Sequence, residues 1–373
     1  MTQPPPARPG DVIADVDTPA LLVDLDAFER NLQRMQQLAD TAGVRLRPHA
    51  KTHKSVDVAL AQIRLGAVGQ CCQKVSEAEV LVHGGIGDVL VSNQIVGPRK
   101  LERLARLART ATIGVCVDDA ANIDALSAAA TRTGVGLDVY LEIDVGMGRC
   151  GVAPDARAVA LCRRIADAPG LRFAGIQAYH GKAQHIRGAG ERAGAIRHAA
   201  GAVQMMLDLL TAAGIACPTV TGAGTGTAPF EAESGLWTEL QAGSYAFMDA
   251  DYARNLAADG APDDRFEHSL FLLTTIMSTA RAGTAICDVG LKSTSFESGL
   301  PLVVDQPGVT YAGPSDEHGT LRLDGGTRLE LGQKIRLIPG HCDPTINLHD
   351  WYVGHRGGVV ERVWPVSARG AFF

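Results

Sequence analysis

Apolar residues along this chain fall into two rhythms, and the change comes near Arg265. The first apolar run, residues 20–25, has the length of a strand. Behind it Asp26, with Glu29 three residues on, carries the side chains of a capping box and predicts a helix start. Phe28, Leu32, Met35 and Leu38 recur at helical spacing, predicting one buried face, and Gly43 stops the helix. From Val44 onward the pattern repeats as strand, loop, helix. The β-prone runs are residues 44–48, 69–73, 88–92, 112–117, 137–143, 172–179, 218–221 and 239–242. Helical patterns, such as Leu101, Leu104 and Leu107, lie between most of them. Strands alternating with helical crossovers in this number predict an α/β chain with a (β/α)8 TIM-type barrel over residues 26–260; a doubly wound sheet is the competing arrangement. After Arg265 helical periodicity disappears. Runs at 268–280, 285–288, 300–304, 319–322, 334–338 and 359–363 are separated by Gly, Pro and Asp turns. They predict a C-terminal all-β domain, residues 261–373, which residues 1–25 join through their strand.

Composition acts on this picture by exclusion. The 373 residues are 46% hydrophobic and 20% charged, the balance of an ordinary globular protein. A net charge of -6 leaves no basic footprint for nucleic acid. No apolar run approaches the roughly 20 residues that span a bilayer, so no membrane partner is expected. The Pro-rich segment 1–11 lacks the apolar core of a secretory signal and is expected to be a loose arm. Eight cysteines without a repeating CxxC spacing then read as reduced thiols in the cytoplasm.

The candidate chemistry lands on one rim of the predicted barrel, at the C-terminal ends of its strands. Lys51 follows the first barrel strand in Arg45-Leu-Arg-Pro-His-Ala-Lys51-Thr-His-Lys54. His49, His53 and Lys54 crowd it. Like charges disfavour an ammonium, so a partly neutral Lys51 is expected, able to form a Schiff base with an aldehyde such as pyridoxal 5'-phosphate (PLP). The alternative for this stretch is a solvated basic loop. Thr221-Gly-Ala-Gly-Thr-Gly-Thr227 follows the seventh strand and offers unobstructed backbone N–H groups and hydroxyls to a phosphate, with Gly222, Gly224 and Thr225 as candidate contacts. Gly243, Ser244 and Tyr245, after the eighth strand, lie where a second set of phosphate donors belongs. Arg149 after the fifth strand is placed for a phenolate oxygen, Tyr179 at the end of the sixth for the pyridine ring, and Gln73 ends the second strand. His185, just beyond Tyr179, is a candidate base. In His341-Cys342-Asp343, an extended backbone puts His341 and Asp343 on one face and Cys342 on the other, a possible open divalent site against the alternative of a polar turn.

With these residues assembled, the chain resembles the D-threonine aldolase branch of the fold-type III PLP enzymes, which share an alanine-racemase-like barrel with the eukaryotic-type D-serine dehydratases. The resemblance runs from Asp17-Thr-Pro-Ala20 to the C-terminal region. It is carried most specifically by Arg47-Pro-His-Ala-Lys-Thr-His53, Ser76-Glu-Ala-Glu79, residues 221–227 and His341-Cys-Asp-Pro-Thr-Ile-Asn347. It implies that Lys51 carries PLP, that Arg149 and Tyr179 contact it, that His185 is the base, and that His341 and Asp343 bind a metal. The dehydratases resemble His-x-Cys at the last motif; a carboxylate there suits Mn2+ first, with Co2+, Mg2+ or Zn2+ as alternatives. The implied reaction is retro-aldol cleavage of a D-β-hydroxy-α-amino acid to glycine and an aldehyde, in a homodimer. The rival activities are D-serine or D-threo-3-hydroxyaspartate dehydration, racemisation, or PLP binding without catalysis.

Overall fold

The computed structural model describes residues 3–373. Strand β1 (Ala20–Asp24) runs without a linker into helix α1 (Leu25–Ala42). The cap is therefore Asp24, whose carboxylate accepts from the backbone N–H of Asp26 (3.0 Å) and Ala27 (3.1 Å). The Asp26–Glu29 capping box is thus corrected: both side chains turn outward to Arg356. Gly43 ends the helix in the left-handed region, φ 67°, as its position predicted.

The barrel strands follow as β2 (Arg45–Leu46), β3 (Gln70–Cys72), β4 (Asp88–Gln94), β5 (Thr112–Val117), β6 (Leu137–Glu142), β7 (Leu171–Ala178), β8 (Val220–Gly222) and β9 (Glu239–Leu240). Helices α2 (Val56–Leu65), α3 (Val75–His83), α4 (Pro98–Leu107), α5 (Ala120–Thr133), α6 (Ala156–Asp167), α7 (Ala189–Ala212) and α8 (Ala228–Glu233) cross between them. All strand pairs are parallel, in the order β2-β9-β8-β7-β6-β5-β4-β3. The ring closes just past β2, where Cys71 N–H donates to Pro48 O (2.8 Å) and Ala50 N–H donates to Cys71 O (2.7 Å). Each predicted strand is present, and the doubly wound alternative is excluded.

Alternate strand residues divide between two buried layers. Val89, Val91, Val115, Val139 and Leu141 face the helices, while Cys71, Leu90, Cys116, Tyr140 and Ala174 fill the barrel. At the lower end of the barrel interior, opposite the rim that carries Lys51, Arg47 is 5% exposed. It donates from Nε to Glu239 (2.9 Å) and from Nη1 to Asp88 (2.6 Å). Burial opposes its charge, but Glu239 and Asp88 outweigh burial and keep it protonated.

The second sheet comprises β1 with β10 (Leu270–Arg281), β11 (Thr284–Cys287), β12 (Leu302–Val304), β13 (Val309–Pro314), β14 (Gly319–Leu323), β15 (Lys334–Ile338), β16 (Trp351–Arg356) and β17 (Val359–Pro365). Strand β1 pairs antiparallel with β10 and parallel with β16. A core shared with the barrel joins Leu21, Leu270 and Tyr352 to Phe28, Leu240 and Phe247. A short helix, α9 (Cys342–Ile346), lies between β15 and β16. The Pro-rich arm is not loose over its described part: Gly10 N–H donates to Val360 O (2.8 Å) and Trp351 Nε1–H to Gln3 O (3.0 Å). All eight cysteines are free. No helix among the described residues is long and apolar enough to cross a membrane.

Removing Arg47 leaves the buried Glu239 carboxylate with only Thr221 and a 3.5 Å contact to Arg45, and frees the part-exposed Asp88. Arg47→Met is expected to lower unfolding free energy by about 3–5 kcal/mol, read by urea denaturation. A loss below about 1 kcal/mol would mean that the cluster is solvated rather than structural.

Candidate active site

The loop after β2 brings Lys51 to the open end of the barrel, where its side chain is 37% exposed to a cavity of about 480 Å3. Lys51 Nζ donates to the Asp343 carboxylate. Burial opposes the ammonium, yet Asp343, then Tyr179, outweigh it and raise its pKa. The expected partly neutral Lys51 is therefore corrected for this ligand-free state. Its neighbours do not repel it, because burial pushes His49 well below its ordinary value and His53 down to about 4, leaving both imidazoles neutral. Lys54 turns away to Glu77 (2.5 Å).

Around the cavity the strand ends deliver the expected groups. Gln73 Nε2 lies 3.0 Å from His49 Nε2. Arg149 places its guanidinium over the Tyr179 ring at 5.8 Å. Ala223, Gly224, Thr225, Gly243 and Ser244 form part of the wall. A Cβ on Gly243 would meet His49 O at 2.7 Å and Thr52 Oγ1 at 2.8 Å, so only glycine lets this loop approach the Lys51 turn. Two expected phosphate contacts do not reach the wall. Gly222 is the last residue of β8, paired with Ala178 and Leu240. Tyr245 is 1% exposed in the core shared by barrel and β-domain, its hydroxyl accepting from Gln62 Nε2 (3.1 Å).

The cavity suits an anionic aldehyde cofactor on its own chemistry. Its lining includes Lys51, Lys74, Arg149 and Lys182 and no carboxylate, and the buried Thr52 Oγ1 at its edge has no protein partner. A phosphate dianion meets fixed positive charge there, and a carbonyl meets an amine. PLP fits these residues.

His185 lines the same cavity and directs Nδ1 to Asp251 Oδ2 at 2.5 Å, leaving Nε2 for the cavity. Arg187 Nη2 donates to the other Asp251 oxygen (2.6 Å). Burial would raise the Asp251 pKa, but His185 and Arg187 outweigh it and keep the carboxylate ionised. A base held by an ionised carboxylate is a proton-transfer pair. Asp251 escaped the sequence reading; its one signal was the acidic run Asp249-Ala-Asp251 soon after the eighth strand.

His341 caps α9, so the segment is helical rather than extended as expected. The two side chains still converge, with His341 Nε2 3.9 Å from Asp343 Oδ1, while His341 Nδ1 meets Glu297. Cys342 is buried in the shared core, and burial holds its thiol protonated. Among the described residues no cluster of three or more His, Cys, Asp or Glu forms a metal centre.

A cofactor-type cavity at the C-terminal rim of a (β/α)8 barrel, joined to an all-β domain, defines the class. The chain belongs to the alanine racemase N-terminal domain family, whose model matches residues 23–251, and a putative serine dehydratase domain model matches residues 269–355. Within it the chain falls in the D-threonine aldolase branch. It is 53% identical over 368 residues to a D-threonine aldolase of Arthrobacter sp, covering 98% of this chain and 96% of the relative. It is 51% identical over 369 residues to a 3-hydroxy-D-aspartate aldolase of Paracoccus denitrificans (strain Pd 1222), covering 98% and 95%. The crystal structure of D-threonine aldolase from Filomicrobium marinum superposes with a TM-score of 0.96 at 51% identity, over 99% of this chain and 100% of that one.

His53 supplies a test of the site's electrostatics. Its fold-depressed value means that the unfolded chain takes up a proton near its ordinary value of about 6.5, while the fold refuses it until about pH 4. Stability from this group is present above pH 6.5 and is lost as pH falls through that window. An NMR titration should show a His53 imidazole unchanged from pH 7 to pH 5; a midpoint near 6.5 would contradict its burial as a neutral ring.

Proposed function

We propose that the protein is a lyase that uses PLP and a divalent metal to cleave D-threonine and related D-β-hydroxy-α-amino acids to glycine and an aldehyde. What carries the reading is one juxtaposition. Lys51 opens on a cavity that also receives His185, held from behind by Asp251, and Lys51 touches the Asp343 member of the His341–Asp343 pair. Bound PLP supplies the electron sink for the pair left on Cα when the Cα–Cβ bond breaks. Lys51 would anchor it, with the phosphate against Gly224, Thr225, Gly243 and Ser244. Arg149 and Lys74 bring positive charge to the same cavity.

The protein's own residues divide the proton work. His185 Nε2 takes the β-hydroxyl proton, and Asp251 favours the imidazolium that results. The β-carbon leaves as the aldehyde, and the proton held by His185 is returned to Cα, directly or through water, to give glycine. His341 and Asp343 would hold the ion, whose Lewis acidity lowers the pKa of that hydroxyl. Imidazole with carboxylate suits Mn2+, Co2+ or Mg2+. This donor pair supports the aldolase over a dehydratase.

D-threonine with PLP and Mn2+ should give acetaldehyde and glycine in equal amounts. 2-Oxobutyrate would make the protein a dehydratase, L-threonine a racemase, and no turnover a binding protein. Chelation is expected to abolish cleavage and leave the visible PLP band in place. Cys342→Ala should remain active, whereas Asp343→Ala, which removes one of the two proposed ligands, should lose metal dependence and most turnover. An active, chelator-resistant Asp343→Ala protein would remove the metal from this reading. A homodimer is the proposed assembly; sedimentation of a single species at 39.2 kDa would exclude it.

A further inference from the structure

Behind the Gly-rich loop runs a chain of buried hydrogen bonds that the proton transfers do not use. Gln184, fully buried, precedes His185. Its Oε1 accepts from Gly226 N–H (3.0 Å), and its Nε2 donates to Thr227 Oγ1 (2.8 Å). Thr227 Oγ1 in turn donates to Glu231 Oε1 (2.7 Å). The Gly226 N–H can only donate, so the Gln184 amide is oriented with its oxygen toward the loop and its N–H toward Thr227. The loop also lies flat against that amide: a Cβ on Gly224 would stand 2.6 Å from Gln184 Oε1.

The main chain of Gln184 leads the other way. Its carbonyl accepts from Asn255 Nδ2 (3.0 Å), and Asn255 Oδ1 accepts from Arg187 Nη1 (3.0 Å). Arg187 holds Asp251, the partner of His185. Arg192 ties the two sides together. It is 1% exposed, and its guanidinium donates to Gly226 O (3.1 Å), to Ile186 O and Arg187 O (both 2.8 Å) and to Leu256 O (2.9 Å). One buried cation thus spans the Gly-rich loop and the segment leaving His185.

We infer that Gln184, backed by Arg192, is a positioning residue through which phosphate in the Gly-rich loop fixes the placement of the His185 imidazole. The inference rests on the reading that this loop holds the phosphate and that His185 moves the substrate proton. These contacts are buried and leave little slack, so an anion that orders the loop at Gly224 and Thr225 restricts Gln184 and the adjoining imidazole. The coupling is reciprocal: a mutation that frees Gln184 weakens cofactor binding as well.

A double-mutant cycle on the holoenzyme tests it. Gln184→Met keeps the volume and removes the amide's contacts to Gly226 and Thr227, together with a 3.3 Å bond to His180 O. It is expected to raise the PLP Kd, measured by titrating the apoprotein, and to lower kcat on D-threonine at saturating PLP, each by roughly tenfold. Placed on His185→Ala, the same change should still raise the Kd but leave kcat where His185→Ala alone puts it. Multiplicative losses in kcat would show that Gln184 supports the fold without acting through His185, which overturns the inference. Should Gln184→Met not fold, Thr227→Val cuts the same relay from the loop side and is judged by the same cycle. If the Kd is unmoved by either change and also by Gly224→Leu, the phosphate lies elsewhere, and the underlying reading of the loop falls instead.

Discussion

The mouth of the barrel depends on one contact between two parts of the chain, the Lys51 ammonium on the Asp343 carboxylate. Lys51 belongs to the first barrel loop, and Asp343 arrives on α9 from the second sheet. Their meeting is set by burial rather than by the pair itself. Asp249, at the end of the barrel sequence, accepts from Cys342 N–H (2.9 Å) and Tyr252 N–H (2.9 Å). Tyr352 donates its hydroxyl to His53 O (2.6 Å), two residues past Lys51. The rings of Phe247, Tyr352 and Trp364 pack in series through the shared core. The site is therefore held from behind by packing, as preorganised chemistry requires.

That placement explains the charge pattern of the cavity. Carboxylates stand behind the basic groups and not on the wall: Asp343 behind Lys51, Asp251 behind His185, Glu142 3.9 Å from Arg149. Asp343 and Glu142 support cations and Asp251 orients an imidazole, while the wall itself carries positive charge, the arrangement an anionic cofactor and an amino-acid carboxylate both need. Glu231 stands apart from this pattern, with the Thr227 hydroxyl as its side-chain partner. Burial pushes its carboxyl up to about 7, and it closes the relay behind the Gly-rich loop.

Much of the fold was legible because it follows local rules. Strand and helix periods marked all eight barrel strands, and the barrel's chemistry gathers on one rim, so Lys51, Gln73, Arg149, Tyr179 and His185 could be placed together from position alone. What escaped depends on long-range contacts. The Asp251 carboxylate lies 66 residues from His185 in sequence, and no local pattern joins them. Lys51 was read as partly neutral because His49, His53 and Lys54 were counted as charges beside it; burial removes the imidazole charges, Lys54 turns to Glu77, and the deciding carboxylate is 292 residues away. Tyr245 was grouped with Gly243 and Ser244, which do line the cavity, but a 3-10 turn over Ser244–Ala246 carries its ring into the core. His341 and Asp343 converge although the expected extended backbone is a helix cap and first turn, so the residue pair was found by an argument whose geometry was wrong.

Borohydride reduction of the PLP-loaded protein, followed by peptide mapping of the fixed cofactor, tests the central claim most directly. The account predicts a single modified lysine, Lys51, in the peptide that contains Arg47-Pro-His-Ala-Lys51. Label on Lys74 or Lys182, which line the same cavity, would contradict it.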